Sequence, residues 1–232
     1  MMHLKNSSTY ISKAITSILL LLLCTTVSAQ YKYRKKTVVV EKDTIPLFRG
    51  IAISTDLVGP IMLSASDYGQ YECALKVNLK DKYFPTVELG YGKANHNDGT
   101  NINYKTQAPY FRIGCDFNIL KNKHAPNRMF VGLRYAYTSY KYDVSKADFK
   151  DPAWGWNVNY NISNVSCSYH WIEAVIGVDS KIVGPLHLGW TVRYRHRIAC
   201  NEGDYGNSWY VPGFGISNNI RLGGTFNVII DI

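Results

Sequence analysis

The sequence predicts an all-β protein: an eight-stranded antiparallel transmembrane β-barrel with a polar, charge-paired lumen. Three observations support this fold. Apolar and polar residues alternate with a period of two in eight segments, which is the pattern of strands with two different faces. The links between these segments alternate between short and long. The polar face carries charges of both signs at central strand positions, whereas the apolar face is rich in aromatic rings.

The first 29 residues have the pattern of an export signal. Lys5 and Lys13 precede the apolar run ILLLLLC at 18–24, and VSA ends at Ala29 as a small-residue cleavage site. The run is too short for a membrane-spanning helix. We therefore predict a cleaved signal peptide over 1–29. Its removal takes two of the 26 basic residues and none of the 17 acidic ones, so the mature chain has a net charge of +7. For an exported protein, anionic lipid headgroups are a more natural counter-surface than nucleic acid.

After the signal, the sequence divides into two parts. Residues 30–48, with YKYRKK and VVVEKD, predict a basic periplasmic N-terminal tether. Residues 49–232 predict the barrel, and no stretch after Gln30 has a convincing amphipathic-helix pattern. Alternating segments bounded by Gly, Asn, Asp and Pro predict eight strands, at 49–58, 70–79, 84–93, 108–119, 129–141, 168–180, 187–198 and 214–232.

The links between the predicted strands differ in length in a regular way. Those after the second, fourth and sixth strands are short (KDKYF, LKNKHAPNR and SKIVGPL), and the others are longer, with 143–165 the longest. Bacterial outer-membrane barrels combine short periplasmic turns with longer external loops. The sequence therefore predicts a protein of the outer membrane of a Gram-negative bacterium, with both termini periplasmic.

The two strand faces favour a membrane barrel. In the fourth strand, Phe111, Ile113 and Phe117 share one face, opposite Arg112 and Asp116. A soluble barrel would show the same alternation, so a secreted β-sandwich or lipocalin-like binding protein is an alternative. Charges of opposite sign at central positions, and rings suited to the aromatic belts at two membrane–water boundaries, favour the membrane barrel.

An arginine at every second position of TVRYRHRIA, residues 191–199, predicts one strongly cationic strand face. If this face lines the lumen, the arginines need carboxylate partners, because an unpaired buried charge is costly. We expect Glu173 and Asp179 on the neighbouring strand to pair with them, and Asp56 and Asp231 share the same face. A solvated charged strand face is the alternative. The predicted lumen charge network comprises Arg193, Arg195, Arg197, Arg112, Arg134, Lys76, Glu72, Glu88, Asp116, Glu173 and Asp179.

From Arg49 to Ile232, this pattern resembles the small eight-stranded outer-membrane barrels of the OmpA and OmpX type. It also resembles the uncharacterised outer-membrane barrel proteins common in Bacteroidetes. The likeness rests on pattern rather than on a diagnostic motif. Such chains often end in an aromatic assembly signal, whereas this one ends FNVIIDI. The short DTI at 43–45 resembles the O-glycosylation motif of Bacteroidetes.

An eight-stranded lumen is just wide enough for side chains to fill, and a charge network inside it argues against a general pore. The sequence therefore predicts a non-enzymatic interaction or envelope-stability protein that acts through loops, tether or lipid-facing surface. Expected partners are outer-membrane lipid, lipopolysaccharide and an envelope protein, with no nucleic acid. In the loop DPAWGWNVNYN, Trp154, Trp156 and Tyr160 either contact a partner or glycan or pack against the barrel rim.

A lipopolysaccharide-modifying acyl hydrolase or transferase is the rival function. Ser168, His170 and His196 have outward parity near the outer ends of their strands, and a serine, a histidine and an acid can perform acyl transfer. However, the outer-membrane deacylase pattern is His-x-Ser, whereas this chain reads Ser168-Tyr169-His170. The nearest acid in sequence, Glu202, falls in a loop. We therefore expect no enzyme.

The six histidines have no metal-ligand spacing, and no Cys-x-x-Cys motif occurs, so we expect no metal or other cofactor. Cys73 and Cys115 have the parity of small hydrophobic residues on the apolar face. Cys167 and Cys200 lie symmetrically about the turn near Gly184, so antiparallel pairing brings them together as a possible disulfide. Strict alternation gives them opposite faces, so a bridge requires a bulge; the alternative is two free thiols.

Overall fold

The computed structural model describes residues 46–99, 102–150, 155, 157–203, 205–206 and 208–232. The predicted signal peptide, all but the last three residues of the predicted tether, and the loop residues Trp154 and Trp156 lie outside this part of the chain. The strands of the barrel are β1 (Phe48–Asp56), β2 (Tyr68–Leu79), β3 (Tyr83–Asn97), β4 (Ile102–Asn118), β5 (Arg128–Lys150), β6 (Asn157–Val183), β7 (Leu186–Asn201) and β10 (Ile220–Asp231). Two short strands, β8 (Tyr210–Val211) and β9 (Gly215–Ile216), and one helix, α1 (Val58–Ala65), complete the elements.

The eight long strands form a closed antiparallel barrel in the order β1-β10-β7-β6-β5-β4-β3-β2. This confirms the predicted fold class and strand number. A row of paired residues begins at Ile53 of β1 and runs around the barrel through β2 to β7, ending at Ile220 of β10. The direct partner of Ile53 on β10, however, is Ile230. The ring thus closes with a shift of ten residues. Such a stagger tilts the strands relative to the barrel axis and determines which side chains meet across the lumen.

The two ends of the barrel differ. One end, which we call the turn end, carries the three short links at 80–82, 119–127 and 184–185, the start of β1 and the end of β10. The opposite end, the loop end, carries α1, the links at 98–101 and 151–156, and the segment 202–219. The link expected to be the longest is therefore shorter than predicted. The ladder of β5 and β6 continues to Lys150 and back from Asn157, with register shifts between Tyr142 and Val144 and between Lys146 and Phe149. The Asn and Ser residues of this stretch resemble a loop in composition, which explains why the sequence prediction made both strands too short at this end.

Two further elements differ from the sequence prediction. Residues 58–65 form α1, where the Asp56 carboxylate accepts the backbone N–H groups of Val58 at 3.0 Å and Gly59 at 2.9 Å. These bonds satisfy two of the free donors at the helix start. The sequence of α1 is almost uniformly apolar, so it shows no helical periodicity. The last strand begins at Ile220 rather than at 214, and residues 215–216 form the separate short strand β9.

The barrel is apolar outside and charged inside. Ile113, Leu133 and Leu222 are exposed on the outer face, with 54%, 66% and 69% of their surfaces accessible, whereas Arg112, Glu88 and Glu173 are at most 1% accessible. In water this arrangement would leave a large apolar surface hydrated. It is the arrangement of a transmembrane barrel, and the soluble alternative does not fit it. None of the described residues belongs to a helix with the length and hydropathy needed to span a membrane.

Aromatic side chains ring the outer face near both ends. Towards the turn end, Tyr83 and Phe117 pack edge to face at 5.6 Å between ring centroids, and Trp190 is also exposed. A second set lies towards the loop end and comprises Tyr71, Tyr91, Phe111, Tyr135 and Tyr194. Such rings favour the membrane–water boundary because they join an apolar body to a polar edge. The two belts therefore delimit the part of the barrel suited to the hydrocarbon core.

Candidate functional site

The barrel interior is occupied by a buried charge network. Ten of its eleven predicted members meet in the lumen: Lys76, Arg112, Arg134, Arg193, Arg195, Glu72, Glu88, Asp116, Glu173 and Asp179. These are five cations and five carboxylates, so the formal charges balance. We call this set the lumen network. Each member points inward because it lies on the polar face of its strand.

Arg112 and Arg193 are the centre of the lumen network. Arg112 Nη1 donates to Glu72 and, at 3.0 Å, to Glu88, while its Nε lies 2.9 Å from Glu173. Arg193 donates to Glu88 at 2.6 Å and to Glu72 at 3.0 Å. Two guanidinium groups thus bridge carboxylates from three different strands. The planar, multi-donor geometry of arginine suits such bridging, which ties strands together across the lumen as well as along the sheet.

Arg134 links this centre to a second cluster nearer the turn end. Its Nε lies 2.8 Å from Glu88, and its Nη2 donates to Asp116 at 2.9 Å. Lys76 Nζ lies 3.4 Å from Asp116 and 3.7 Å from Asp179. Asp179 therefore pairs with Lys76 rather than with the arginines of β7, contrary to expectation. The other expected partner, Glu173, does contact Arg195 at 3.3 Å.

Arg197 is the predicted member that the structure places outside the lumen network. Its Nη1 lies 3.7 Å from Glu202, and its guanidinium also donates to Asn219. Arg197 pairs with Trp171 near the loop end of β7, and the register of β6 and β7 shifts immediately beyond this pair. Water reaches this position, so Arg197 needs no buried partner. The two other aspartates of the polar face also act elsewhere: Asp56 caps α1, and Asp231 binds Arg128 at the turn end.

A folded segment closes the lumen from the loop end. In the described part of 202–219 (202–203, 205–206 and 208–219), which we call the plug, β8 and β9 form a small hairpin. Phe214 is fully buried, with its ring centroid 4.9 Å from Tyr169 and 5.8 Å from Trp171. Arg112 Nη2 donates to the Gly213 carbonyl, and Arg195 Nη1 donates to the Phe214 carbonyl, both at 2.8 Å. The lumen network therefore holds the plug in place.

The plug was not predicted from the sequence. Its apolar residues suggested the start of the last strand, but WYVPGFGIS also contains the Pro-Gly pair that marks a tight turn. Gly213 has φ +82°, and a Cβ there would lie 2.5 Å from the Tyr110 ring. The turn thus requires glycine for both its conformation and its space. In the sequence, the feature that could have predicted this hairpin is the Pro-Gly turn with apolar residues on both sides.

The cavity at the centre of the lumen network is small. The cavity lined by Glu72, Lys76, Glu88, Arg134 and Arg193, among others, has a volume of about 10 Å³. This is about the space that one water molecule needs. The plug and the lumen network thus obstruct the barrel interior at two successive levels along the barrel axis.

Above the plug, the extensions of β3 to β6 form an aromatic groove of about 450 Å³. The His96 ring stacks on Trp209 at 4.1 Å with an interplanar angle of 4°, and Tyr104 stacks with Tyr142 at 5.6 Å. Tyr160 lines the groove and is 49% exposed. Of the three predicted loop-contact residues, it is the one that the structure describes. The groove offers flat ring faces and hydroxyl groups to a ligand.

The residues of the rival acyl-transfer site do not assemble in the structure. His170 Nδ1 lies 2.6 Å from the Tyr135 hydroxyl. The Glu202 carboxylate lies near Arg197 and accepts from the Cys200 thiol at 3.4 Å. Within the part of the chain that the structure describes, no hydrogen bond joins Ser168 to either histidine. No group of three potential metal ligands occurs among these residues either.

The four described cysteines are unbridged in this structure. The bulge that a Cys167–Cys200 bridge requires is present, because the register of β6 and β7 shifts between His170 and Trp171. Cys200 consequently pairs with the inward-facing Tyr169. Both thiols contact Glu202: Cys167 donates to its carbonyl at 3.3 Å, and Cys200 donates to its carboxylate. The disulfide stays a prediction that non-reducing peptide mapping of the folded protein can test.

Comparison with known proteins gives a family and several structures of similar architecture. Neisserial surface protein A has 11% identity, a TM-score of 0.41, and a match over 80% of this chain and 99% of its own. A major outer membrane protein from Thermus thermophilus has 12% identity and a TM-score of 0.46 over 79% and 100%. The N-terminal barrel of Pseudomonas aeruginosa OprF has 10% identity and a TM-score of 0.34 over 79% and 97%. No curated protein matches significantly. A family model, described as a domain of unknown function (DUF6048), matches residues 11–231, and the chain belongs to this family.

Proposed function

We propose that this protein is a non-conducting, non-enzymatic barrel of the Gram-negative outer membrane, and that it serves as an interaction or envelope-stability component. The observation that carries the proposal is the double obstruction of the lumen by the lumen network and the plug. A barrel that obstructs its own interior acts through its outside surfaces. These are the loop end, the lipid-facing belt and the tether.

The composition of the lumen network supports a structural role over a transport role. Ion-selective pores use rings of one charge sign, or carbonyl dipoles, around an open path. Here five cations and five carboxylates neutralise one another. Removing one partner of a buried ion pair typically costs about 3–5 kcal/mol. A solute crossing the lumen would have to disrupt several such contacts, so the arrangement favours permanent closure.

The placement in the outer membrane rests on the asymmetry between the two ends. The turn end carries links of three, nine and two residues, whereas the loop end carries α1, the long extensions of β5 and β6, and the plug. Outer-membrane barrels turn their short links to the periplasm. We accordingly assign the turn end and both termini to the periplasm and the loop end to the outside. In this orientation the predicted basic tether is periplasmic.

The loop end offers the surface best suited to a partner. The aromatic groove exposes Tyr160 and Tyr205, with 49% and 63% of their surfaces accessible. Aromatic rings supply large, rigid contact areas in protein interfaces. An envelope protein or a glycan is the partner that this surface fits. The acyl-transfer alternative has less support, because its serine and histidines are not joined.

Solute uptake by proteoliposomes tests the proposal. The mature chain should fold into a heat-modifiable form and leave the liposomes impermeable to small sugars. A variant in which Gly-Ser residues replace 205–217 should also be impermeable, because the lumen network remains. Sugar uptake that depends on folded wild-type protein would overturn the proposal. Release of acyl chains from lipopolysaccharide, abolished by His170→Ala, would instead support the enzyme.

Orientation requires a separate test. Protease added to intact cells should cleave at Tyr205, which is exposed at the loop end, but leave the turn-end links uncut. Cleavage restricted to the turn end would reverse the assigned orientation.

The partner requires a test of its own. Mild solubilisation followed by cross-linking through a probe at Tyr160 should capture an envelope component.

A further inference from the structure

Three lysines lie side by side on the outer face of the barrel near the loop end. Lys93 is on β3, Lys105 on β4 and Lys141 on β5, and all three side chains are exposed. They line one surface depression of about 410 Å³. We propose that this lysine triangle binds a phosphate group on a glycolipid of the outer leaflet. The inference rests on the proposed orientation, in which the loop end faces outward.

The sheet register brings the three lysines within reach of a single anion. Lys93 pairs with Gln107 of β4, and Lys141 lies on the other side of Gln107. Neighbouring strands are about 4.8 Å apart, so the backbones of Lys93 and Lys141 are separated by about 10 Å. Lys105 is two residues beyond Gln107 towards the loop end and completes the triangle. Long lysine side chains can converge over this depression.

The triangle is neutralised only in part, by Asp143, which pairs with Lys105 in the ladder of β4 and β5. In the described part of the chain, none of its three ammonium groups forms an ion pair. Asp143 also lines the depression, but one of its carboxylate oxygens accepts the backbone N–H of Asn164 at 2.8 Å. The site therefore carries a net charge of about +2, counting three lysines and one aspartate. A bound phosphate would relieve the repulsion between the ammonium groups.

The position relative to the aromatic belt identifies the phosphate as part of a lipid. Lys93 follows the belt residue Tyr91 by two residues towards the loop end. Lys141 follows Tyr137 by four residues in the same direction, and the Tyr137 ring lies 5.8 Å from the belt ring Phe111. Belt rings mark the headgroup level of a membrane, so the ammonium groups lie at the depth of the headgroups. Below them the outer face is apolar, with Leu89 62% exposed. A lipid would place its phosphate in the triangle and its acyl chains along this face.

Amide groups favour a sugar-bearing headgroup. Asn95, Gln107 and Asn164 line the same depression. Their side chains supply both donors and acceptors, which are suited to sugar hydroxyl groups next to a phosphate. The class of ligand is thus a phosphorylated glycolipid, and bisphosphorylated lipid A is a suitable probe.

Binding to nanodiscs provides the test. Mature protein in phosphatidylcholine nanodiscs is titrated with bisphosphorylated lipid A and with its dephosphorylated form, and bound lipid is counted by native mass spectrometry. We expect wild type to prefer the phosphorylated form at least about tenfold. The triple variant K93Q/K105Q/K141Q should lose that preference. The control K82Q/K121Q/K181Q, which removes the same charge at the turn end, should keep it.

The outcomes separate the inference from the proposed function. A triple variant that folds, inserts and retains the preference would overturn the lysine triangle alone. Equal binding of phosphatidylglycerol and lipid A would also overturn it, as would displacement of lipid A by millimolar inorganic phosphate. Failure of wild-type protein to insert into bilayers at all would instead contradict the proposed function.

Discussion

The cations of the lumen and those of the lysine triangle show how position determines the role of a charge. In the lumen, Arg112 has no accessible surface and contacts three carboxylates. On the outer face, Lys93, Lys105 and Lys141 are exposed and form no ion pair within the described chain. Buried cations with complete partners support the fold. Exposed cations that lack partners are available to a ligand, so the two groups should respond differently to substitution.

The largest expected effect is the loss of a central lumen cation. Arg112→Leu removes the partner of Glu72, Glu88 and Glu173 and a donor to the plug. Because the carboxylates remain buried, we expect the free energy of unfolding to fall by about 3–5 kcal/mol. Urea unfolding in detergent or lipid, followed by heat-modifiable migration, measures this. Arg197→Leu, at the water-exposed rim, is the control and should cost less than about 1 kcal/mol. Equal losses would contradict the division between lumen and rim.

A smaller effect is expected from the plug turn. Gly213→Ala places a methyl group against Tyr110 in a backbone region that L residues rarely adopt. We expect a loss of about 3 kcal/mol from strain and overlap, together with faster proteolysis of 202–219. Gly206→Ala is the matched control, because Gly206 has φ +88° but no atom within 4 Å of its added Cβ. It should show only the conformational cost, about 1 kcal/mol. A similar cost for both variants would indicate that the plug does not pack against Tyr110.

The turn end provides a pH-dependent contribution. Burial alone would raise the pKa of Asp81, but hydrogen bonds from His124 and Asn78, both 2.7 Å, and the charge of Arg49 lower it below 3.8. The carboxylate therefore stabilises the protein above the unfolded pKa, and this contribution is lost as the pH falls through the lower folded value. Asp81→Asn should cost about 1 kcal/mol at neutral pH.

That difference between wild type and Asp81→Asn should disappear in acid, which unfolding measurements across the pH range would show. Asp67→Asn, at an exposed aspartate that binds His96, controls for general surface charge. A difference that persisted after Asp81 is protonated would contradict the assigned cause.

The smallest effect on stability is expected at the lysine triangle. Exposed lysines without ion-pair partners contribute little to folding, so K93Q/K105Q/K141Q should change the free energy of unfolding by less than about 0.5 kcal/mol. Thermal or urea unfolding in phosphate-free lipid checks this value. A large destabilisation would show that these lysines support the fold, as the lumen cations do. It would contradict the difference in role between the two groups.

The period-two pattern predicted the barrel and the inward face of most charged residues. It could not predict which charges meet, because Arg193 contacts Glu72 and Glu88 on strands that are not its neighbours. Those contacts depend on the ten-residue shift at which the barrel closes, and that shift is a property of all eight strands together. The local pattern predicted Glu173, which neighbours Arg195 in the ladder, but not the pairing of Asp179 with Lys76.

The plug and α1 were missed for a different reason. Both are apolar segments adjacent to predicted strands, and short apolar runs do not distinguish strand from helix or hairpin. What fixes the plug is tertiary: Arg112 and Arg195 hold the carbonyls of Gly213 and Phe214. What fixes α1 is the cap from Asp56, a residue that the sequence pattern assigned to the charged lumen face. In each case a side chain of the charged face binds backbone: Asp56 does so in place of another charge, whereas Arg112 and Arg195 do so in addition to their carboxylate partners.

Ion conductance across planar bilayers tests the central claim, the sealed lumen, most directly. Ions are smaller than sugars, so this measurement is more stringent than solute uptake. Folded wild-type protein, inserted from detergent in about 1 M KCl to screen surface charge, should show no stable current steps at either polarity. The variant with Gly-Ser in place of 205–217 should also be silent, because the lumen network still fills the barrel. Reproducible single-channel steps from folded wild-type protein would contradict the account.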